Sequence, residues 1–462
     1  MDAQDNGHSV WANGEVAGFL ATLHKISQFG LAIALLCASS MWFYVQRVLI
    51  AYEKAEATTR ERPRGNLSDL YPRWLGAREL LLRGRNPYSD DLTVEIQKGY
   101  YGRALDSARP NDPKDQQGFA YPAYVVFLLA PLIGLPFHGV QIFFYWLLAG
   151  LTAASVWLWL RVIRWRLPPL AIASVAVLTL GSFPAVQGIK LQQLSLLVAA
   201  LLAGSAACVA GGSLFCGGAL LALATVKPQL AGPLVAWFLA WAVSDWKARR
   251  RVVFGFGAVM GLLLGGAEII LPGWWRMFAD AVGKYHRYTQ NQSVLDELAP
   301  WGYLGKILAA AAVLACAFFL WKLRNEPANT VEFGLATALV AALTVMVVPM
   351  YAPYNQVLVL PAILVLVRDR GLFLSRVRGV RFLYLVAALA VVWQWVASLG
   401  LSATYFVARD WAMAGWWWPF VATFAFPVLT FLLIFLETQA HGAGRFRKAE
   451  AGIPTKTLPA GA

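Results

Sequence analysis

The chain has 462 residues, of which 59% are hydrophobic and only 14% charged, with 20 Trp and 26 Phe. A soluble domain of this size needs a far more polar exterior, so composition excludes an ordinary soluble globule and makes lipid the solvent for much of the surface. The net charge of +14 does not point to nucleic acid, because the basic residues punctuate apolar runs instead of forming a patch.

Lipid cannot satisfy free backbone polar groups, and the apolar runs are continuous rather than alternating. The expected fold class is therefore all-α, a polytopic membrane protein and not a barrel. Residues 1–28 are polar, with no small-residue cleavage site closing a short apolar stretch, and read as a cytoplasmic segment before an anchor helix. Apolar runs follow at 29–50, 122–136, 140–160, 168–182, 191–210, 213–226, 229–244, 252–271, 303–321, 331–349, 356–367, 382–402 and 415–436. The run at 122–136 is short and holds Pro122, Pro131 and Pro136, so it suits a helix that dips into a core of about 30 Å without crossing it.

Charge supports that choice. With the N-terminus inside and 122–136 not crossing, the basic connections at 161–166, 247–251, 322–324, 368–381 and 445–448 all fall on the cytoplasmic side. The prediction is about twelve spanning helices within 29–437, with both termini cytoplasmic. A basic, disordered tail is expected over 438–462, and outer segments over 52–139 and 272–302. In the first outer segment Leu70, Trp74, Ala77 and Leu81 recur at helical spacing, with Arg73, Arg78 and Arg83 between them. Closed by Gly84 and Asn86-Pro87, this pattern predicts a helix lying in the membrane interface. The stretch 103–117, rich in Asp, Pro and Lys, reads as a mobile excursion.

Asp69 stands at the start of that interfacial helix. Its carboxylate suits a helix N-terminus through the macrodipole, and it equally suits a general base for an acceptor hydroxyl near the membrane plane. Lys227 closes one apolar run and precedes Pro228-Gln229 and another. A lysine deep in a bilayer costs about 2.5–3.5 kcal/mol, so it either snorkels to the interface or faces a cavity, where its ammonium could neutralise a phosphate. Lys190, in the stretch Gln187-Gly188-Ile189-Lys190 read as an outer turn, could share that task or be an ordinary interfacial lysine. The second outer segment offers Tyr285, His286, Tyr288, Asn291 and Gln292, groups that suit sugar faces, while Trp274, Trp275 and Trp416 to Trp418 read as an aromatic belt. Cys37, Cys208, Cys216 and Cys316 all lie in apolar runs, and no metal-ligand spacing, phosphate-binding glycine loop or nucleophile elbow is present, so neither metal nor cofactor is expected.

The order of motifs adds a resemblance. Asp69-x-Tyr71, Leu82-Arg83-Gly84-Arg85-Asn86-Pro87-Tyr88, Tyr121-Pro122, Gln192-Gln193, Lys227-Pro228, Asn291-Gln292-Ser293, and Pro349 with Pro361 follow one another on one face, from 69 to 361. Together they resemble glycosyltransferase family 87. The resemblance implies a GT-C fold and an inverting transfer of a sugar, mannose first, from a polyprenyl-phosphate donor to a glycolipid or envelope-glycan acceptor. It further implies a site on the outer, periplasmic face of the cell membrane, with Asp69 as base. The donor phosphate would meet Lys227 and Lys190. Tyr71, Arg73, Asn86, Tyr88, Tyr121, Gln193, Tyr288, Asn291, Gln292, Tyr354 and Asn355 would bind substrate, with Tyr354-Asn355 standing where many members carry a His pair. A flippase for a lipid-linked glycan would need inverted repeats and more mid-membrane charge. An O-antigen-type polymerase or ligase would place its largest outer loop late in the chain.

Overall fold

The computed structural model describes residues 28–63, 68–106, 108–289, 292–349 and 351–450, with 288, 289 and 441–450 described by backbone alone. Among the described residues the fold is helical throughout and contains no strand. In chain order the helices are α1 (Gln28–Thr59), α2 (Tyr71–Arg83), α3 (Asp90–Tyr101), α4 (Val125–Leu129), α5 (Phe137–Val162), α6 (Pro169–Leu180) and α7 (Phe183–Lys190). They continue as α8 (Leu194–Ala210), α9 (Leu214–Ala224), α10 (Pro228–Ser244), α11 (Trp246–Ile270), α12 (Trp274–Thr289), α13 (Val294–Leu298) and α14 (Leu304–Leu323). The last are α15 (Val331–Val347), α16 (Leu360–Arg368), α17 (Arg370–Ser375), α18 (Arg378–Val407), α19 (Arg409–Ala414) and α20 (Trp418–Glu450). The chain is an all-helical polytopic membrane protein.

Length and apolarity single out six spans among the described residues: α1, α5, α11, α14, α18 and the α19–α20 unit. The pair α6–α7, bent by 62° at Gly181-Ser182, makes a seventh if it counts as one broken span. Helix length alone therefore does not reach the expected twelve. Other apolar runs form shorter helices of 10–17 residues, such as α8 and α15, which are buried along nearly their whole length. Such helices are apolar all round because protein surrounds them. The proline-bearing run at 122–136 becomes α4 and a 3₁₀ turn at Ala130–Leu132; five helical residues rise only about 7.5 Å, far short of a crossing. The stretch 187–190, read as a turn, is instead the end of α7. At the other end of the chain α20 runs on to Glu450, past the boundary at 438.

Close helix contact rests on small residues. A Cβ at Gly218 of α9 would lie 2.0 Å from the Val252 carbonyl oxygen of α11, and one at Gly255 of α11 would lie 2.1 Å from the Phe215 carbonyl oxygen of α9. Only hydrogen fits at either position, which lets the two backbones touch.

The helix expected from the spacing of Leu70, Trp74, Ala77 and Leu81 forms as α2. In α2, Pro72 sits in the first turn, Trp74, Ala77 and Leu80 are buried, and Gly84 ends the helix in a left-handed conformation at φ 62°. Stretch 103–117 is not a free excursion: its described residues are tied back onto α3. Gln97 Nε2 donates to the Gln116 carbonyl (3.1 Å), the Tyr101 hydroxyl to the Asp115 carbonyl (2.9 Å), and Arg103 pairs with Asp112. Among the described residues, segment 272–302 is mostly helix, and Ser293 and Asp296 close a capping box at the start of α13.

Candidate functional site

The bend between α7 and α8 builds the floor of the site. Gln192 is held at φ 49°, a left-handed conformation that costs a non-glycine residue about 1–3 kcal/mol. Its side chain secures the turn by donating to the Ile189 (3.0 Å) and Lys190 (2.8 Å) carbonyls, while its Oε1 accepts from the Ser68 hydroxyl (2.6 Å). The Asp69 amide donates to the Leu191 carbonyl (2.9 Å). The turn thus pins the start of α2 on one side and presents Gln193 on the other.

Above it lies a cavity of about 650 Å³ lined by Asp69, Arg73, Asp115, Gln117, Tyr121, Gln193, Lys227, Tyr285, His286, Tyr351 and Tyr354, among others. Asp69 does not cap α2, whose N-terminus has no side-chain cap. Its Oδ2 instead accepts from Gln193 Nε2. The Oε1 of the same amide accepts from Lys227 Nζ at 3.2 Å, so one glutamine bridges the acid and the cation. Lys227 also donates to Ser195 Oγ (2.6 Å), which passes a hydrogen bond to Asn355 Oδ1 (2.8 Å), and its ammonium stands 5.1 Å from the centre of the Tyr354 ring. The lysine is 4% exposed and faces this cavity, so it does not snorkel.

Arg73 brings a second cation. Its guanidinium lies 4.4 Å from the Tyr121 ring centre and donates to the Asp69 carbonyl oxygen (2.7 Å), and its buried Nε–H has no partner among the described residues. An unpaired buried donor of this kind costs about 1–3 kcal/mol, and a ligand oxygen would satisfy it. Burial pushes the Asp69 carboxyl above the ordinary range, against the opposing pull of Arg73, the Gln193 hydrogen bond and Lys227. A carboxylate poised in this way takes up a proton more readily than a solvated one. Among the described residues no three His, Cys, Asp or Glu side chains come together as metal ligands.

The sequence-derived residues divide by place. Asp69, Arg73, Tyr121, Gln193, Lys227 and Tyr354 share the cavity, and Asn355 stands behind it. Asn86 and Tyr88 line a neighbouring cavity of about 560 Å³ that shares Gly118, Ala120 and Ala279 with the first. There Asn86 Oδ1 accepts from the Tyr88 amide (2.9 Å), and the Tyr88 hydroxyl donates to the Tyr121 carbonyl (2.6 Å). Tyr71 does not line the cavity; it is packed against Phe137 at 4.8 Å. Lys190 does not reach it either, its ammonium donating to Gln46 Oε1 at 2.7 Å. Gln292 is exposed and does not line the cavity; its backbone carbonyl accepts from the Tyr351 amide. The Tyr288 side chain and Asn291 lie outside the described residues. Trp274, read as belt, is buried against Tyr124, whereas Trp275 is exposed.

Asp115, Gln117 and Ser195 are cavity or supporting residues that sequence reasoning missed. The first two sit in a stretch whose composition looks like free chain, and a lone serine in an apolar run carries no signal.

A model of glycosyltransferase family 87 matches residues 119–349, half of the chain. That stretch holds Tyr121, Gln193 and Lys227, and stops short of Asp69 on one side and Tyr354 on the other. No curated protein and no solved structure matches the chain.

Proposed function

The chain belongs to glycosyltransferase family 87, and from that membership and the cavity at Asp69 we propose an inverting transfer of a sugar, mannose first among candidates, from a polyprenyl-phosphate donor to a glycolipid or envelope-glycan acceptor. It is a membrane glycosyltransferase; donor, acceptor and residue roles are the proposal. The supporting observation is the Gln193 amide, which holds the half-buried Asp69 carboxylate and the buried Lys227 ammonium in one cavity.

In this reading the acceptor hydroxyl oxygen attacks the anomeric carbon as its proton passes to the Asp69 carboxylate. The bond from that carbon to the lipid phosphate oxygen breaks, and its electron pair stays on the phosphate. Lys227 and the unsatisfied Arg73 Nε–H offset the charge that develops there, in a site where few water dipoles compete. A phosphate leaves readily without an acid, so one base and two cations are a sufficient set. The acceptor's remaining saccharide occupies the neighbouring cavity at Asn86 and Tyr88, which shares Gly118, Ala120 and Ala279 with the first. In this reading the site opens on the outer face of the cell membrane, a placement that the distribution of basic connections supports.

The test is purified full-length protein in nanodiscs, given labelled polyprenyl-phosphate mannose and a membrane-lipid extract. Label in a new lipid or glycan product is the expected result. No transfer from this donor, with transfer from another lipid-linked sugar, would reject mannose. No transfer from any of a panel of such donors would reject the reading.

A further inference from the structure

A different cavity lies at the far end of α5. Tyr71 touches Phe137 at the start of that helix, and Arg161 in its last turn stands about 36 Å further along, a full membrane thickness away. There the end of α5, its connection to α6, the first turn of α6 and the start of α15 form an open recess of about 900 Å³, lined by Trp157, Arg161, Arg164, Trp165, Arg166 and Ile172, with three further apolar residues.

Its walls are of two kinds. Leu160, Ile172 and Val331 lie near helix ends and Leu167 on the connection, while Arg161 in the last turn of α5 and Arg164 and Arg166 on the connection bring three guanidinium groups. No carboxylate lines the cavity among the described residues, so three positive charges converge there without an opposing charge in the wall. Arg161 lies 4.7 Å from the Trp157 ring centre, which holds its guanidinium at the rim. Arg164 has a left-handed backbone at φ 58° and donates to the Asn329 carbonyl, tying the connection to the approach to α15. Cations grouped at the end of a membrane span, with tryptophan beside them and an apolar wall beneath, match an amphiphile whose head is anionic and whose body is hydrocarbon.

We propose that this cavity binds an anionic phospholipid of the leaflet opposite the Asp69 cavity. The phosphate is held by Arg161, Arg164 and Arg166, and the acyl chains lie along Leu167 and Ile172. The inference needs only the membrane placement of α5 and does not depend on which reaction the other face performs.

Native mass spectrometry of the full chain in detergent tests it, with phosphatidylglycerol, phosphatidylcholine and inorganic phosphate as probes. Phosphatidylglycerol should be retained in preference to phosphatidylcholine and should resist displacement by millimolar phosphate. Each arginine near a membrane surface contributes about fivefold in affinity, so the triple variant Arg161→Gln, Arg164→Gln, Arg166→Gln should lose on the order of a hundredfold. Arg161→Gln alone should lose about fivefold, and it serves if the triple variant fails to assemble. Arg378→Gln with Arg381→Gln, in the first turn of α18, should change nothing. Unchanged retention by the triple or the single variant would overturn the site. An equal loss in the Arg378/Arg381 control would show only diffuse charge attraction, and displacement by free phosphate would show an anion site with no lipid requirement. Either result also overturns the proposal.

Discussion

Asp69→Asn removes one negative charge while keeping the side chain's shape and an oxygen that can still accept from Gln193. Burial raises the carboxyl of Asp69 in the folded protein, which means the fold binds that proton more tightly than the unfolded chain does. The resulting stabilisation is fully present below the unfolded carboxylate value, about 4, and is lost as pH rises through the raised folded value. At neutral pH an ionised Asp69 is therefore a burden on the fold that asparagine does not carry. The variant should melt at the same temperature as the parent or higher near neutrality, and the difference should move toward the parent's favour as the solution is made acid. Transfer should meanwhile fall by about 10²–10⁴-fold, the usual contribution of a positioned general base. Thermal unfolding in nanodiscs at neutral and acid pH, beside turnover of labelled donor, measures both. A variant that keeps turnover within about tenfold of the parent would remove Asp69 as the base. A variant clearly less stable at neutral pH would show that the ionised carboxylate supports the fold instead of burdening it.

The parent's own turnover should decline on acidification with a midpoint above the ordinary carboxylate value of about 4, because Asp69 must be ionised to accept the proton; a pH profile flat through that range refutes the assignment. Lys227→Met should lower turnover by about 10²–10³-fold while leaving the protein assembled, since methionine fills the space but offers no charge to the leaving phosphate; unchanged turnover, measured with labelled donor, would exclude that role. Lys190→Ala should keep turnover within about twofold, the range of substitutions remote from a site, because its ammonium is engaged with Gln46 outside the cavity. Gly255→Leu should lower the melting temperature through overpacking of about 1–3 kcal/mol or more against the Phe215 carbonyl, whereas Gly261→Leu on the same helix meets open space and should not. Thermal melts of the two glycine variants decide between backbone contact and a general intolerance of bulk.

The helical class and the places of the apolar runs were legible along the chain because lipid imposes a local rule: each buried backbone must close its own hydrogen bonds, and only long apolar helices do so. Helix α2 was legible for a similar reason, its buried face and its Gly84 terminus both being local signals. Lys227 stood out because an isolated charge among apolar residues is costly wherever it sits. The number of spans was not legible, since a helix such as α15, surrounded by protein, has no need to match the bilayer's thickness.

What the tertiary structure alone decided is who meets whom. The stretch 103–117 has the composition of free chain, yet Gln97 and Tyr101 hold it so that Asp115 and Gln117 reach the cavity, because hydrogen bonds between distant segments leave no trace in local composition. Lys190 and Lys227 were both candidates for the phosphate, but Lys190 donates to Gln46 outside the cavity, while Lys227 stands inside it beside Gln193 and Ser195. Periodicity records which side of a helix is apolar; it carries no information about which helix arrives on that side, and the site is made by that arrival.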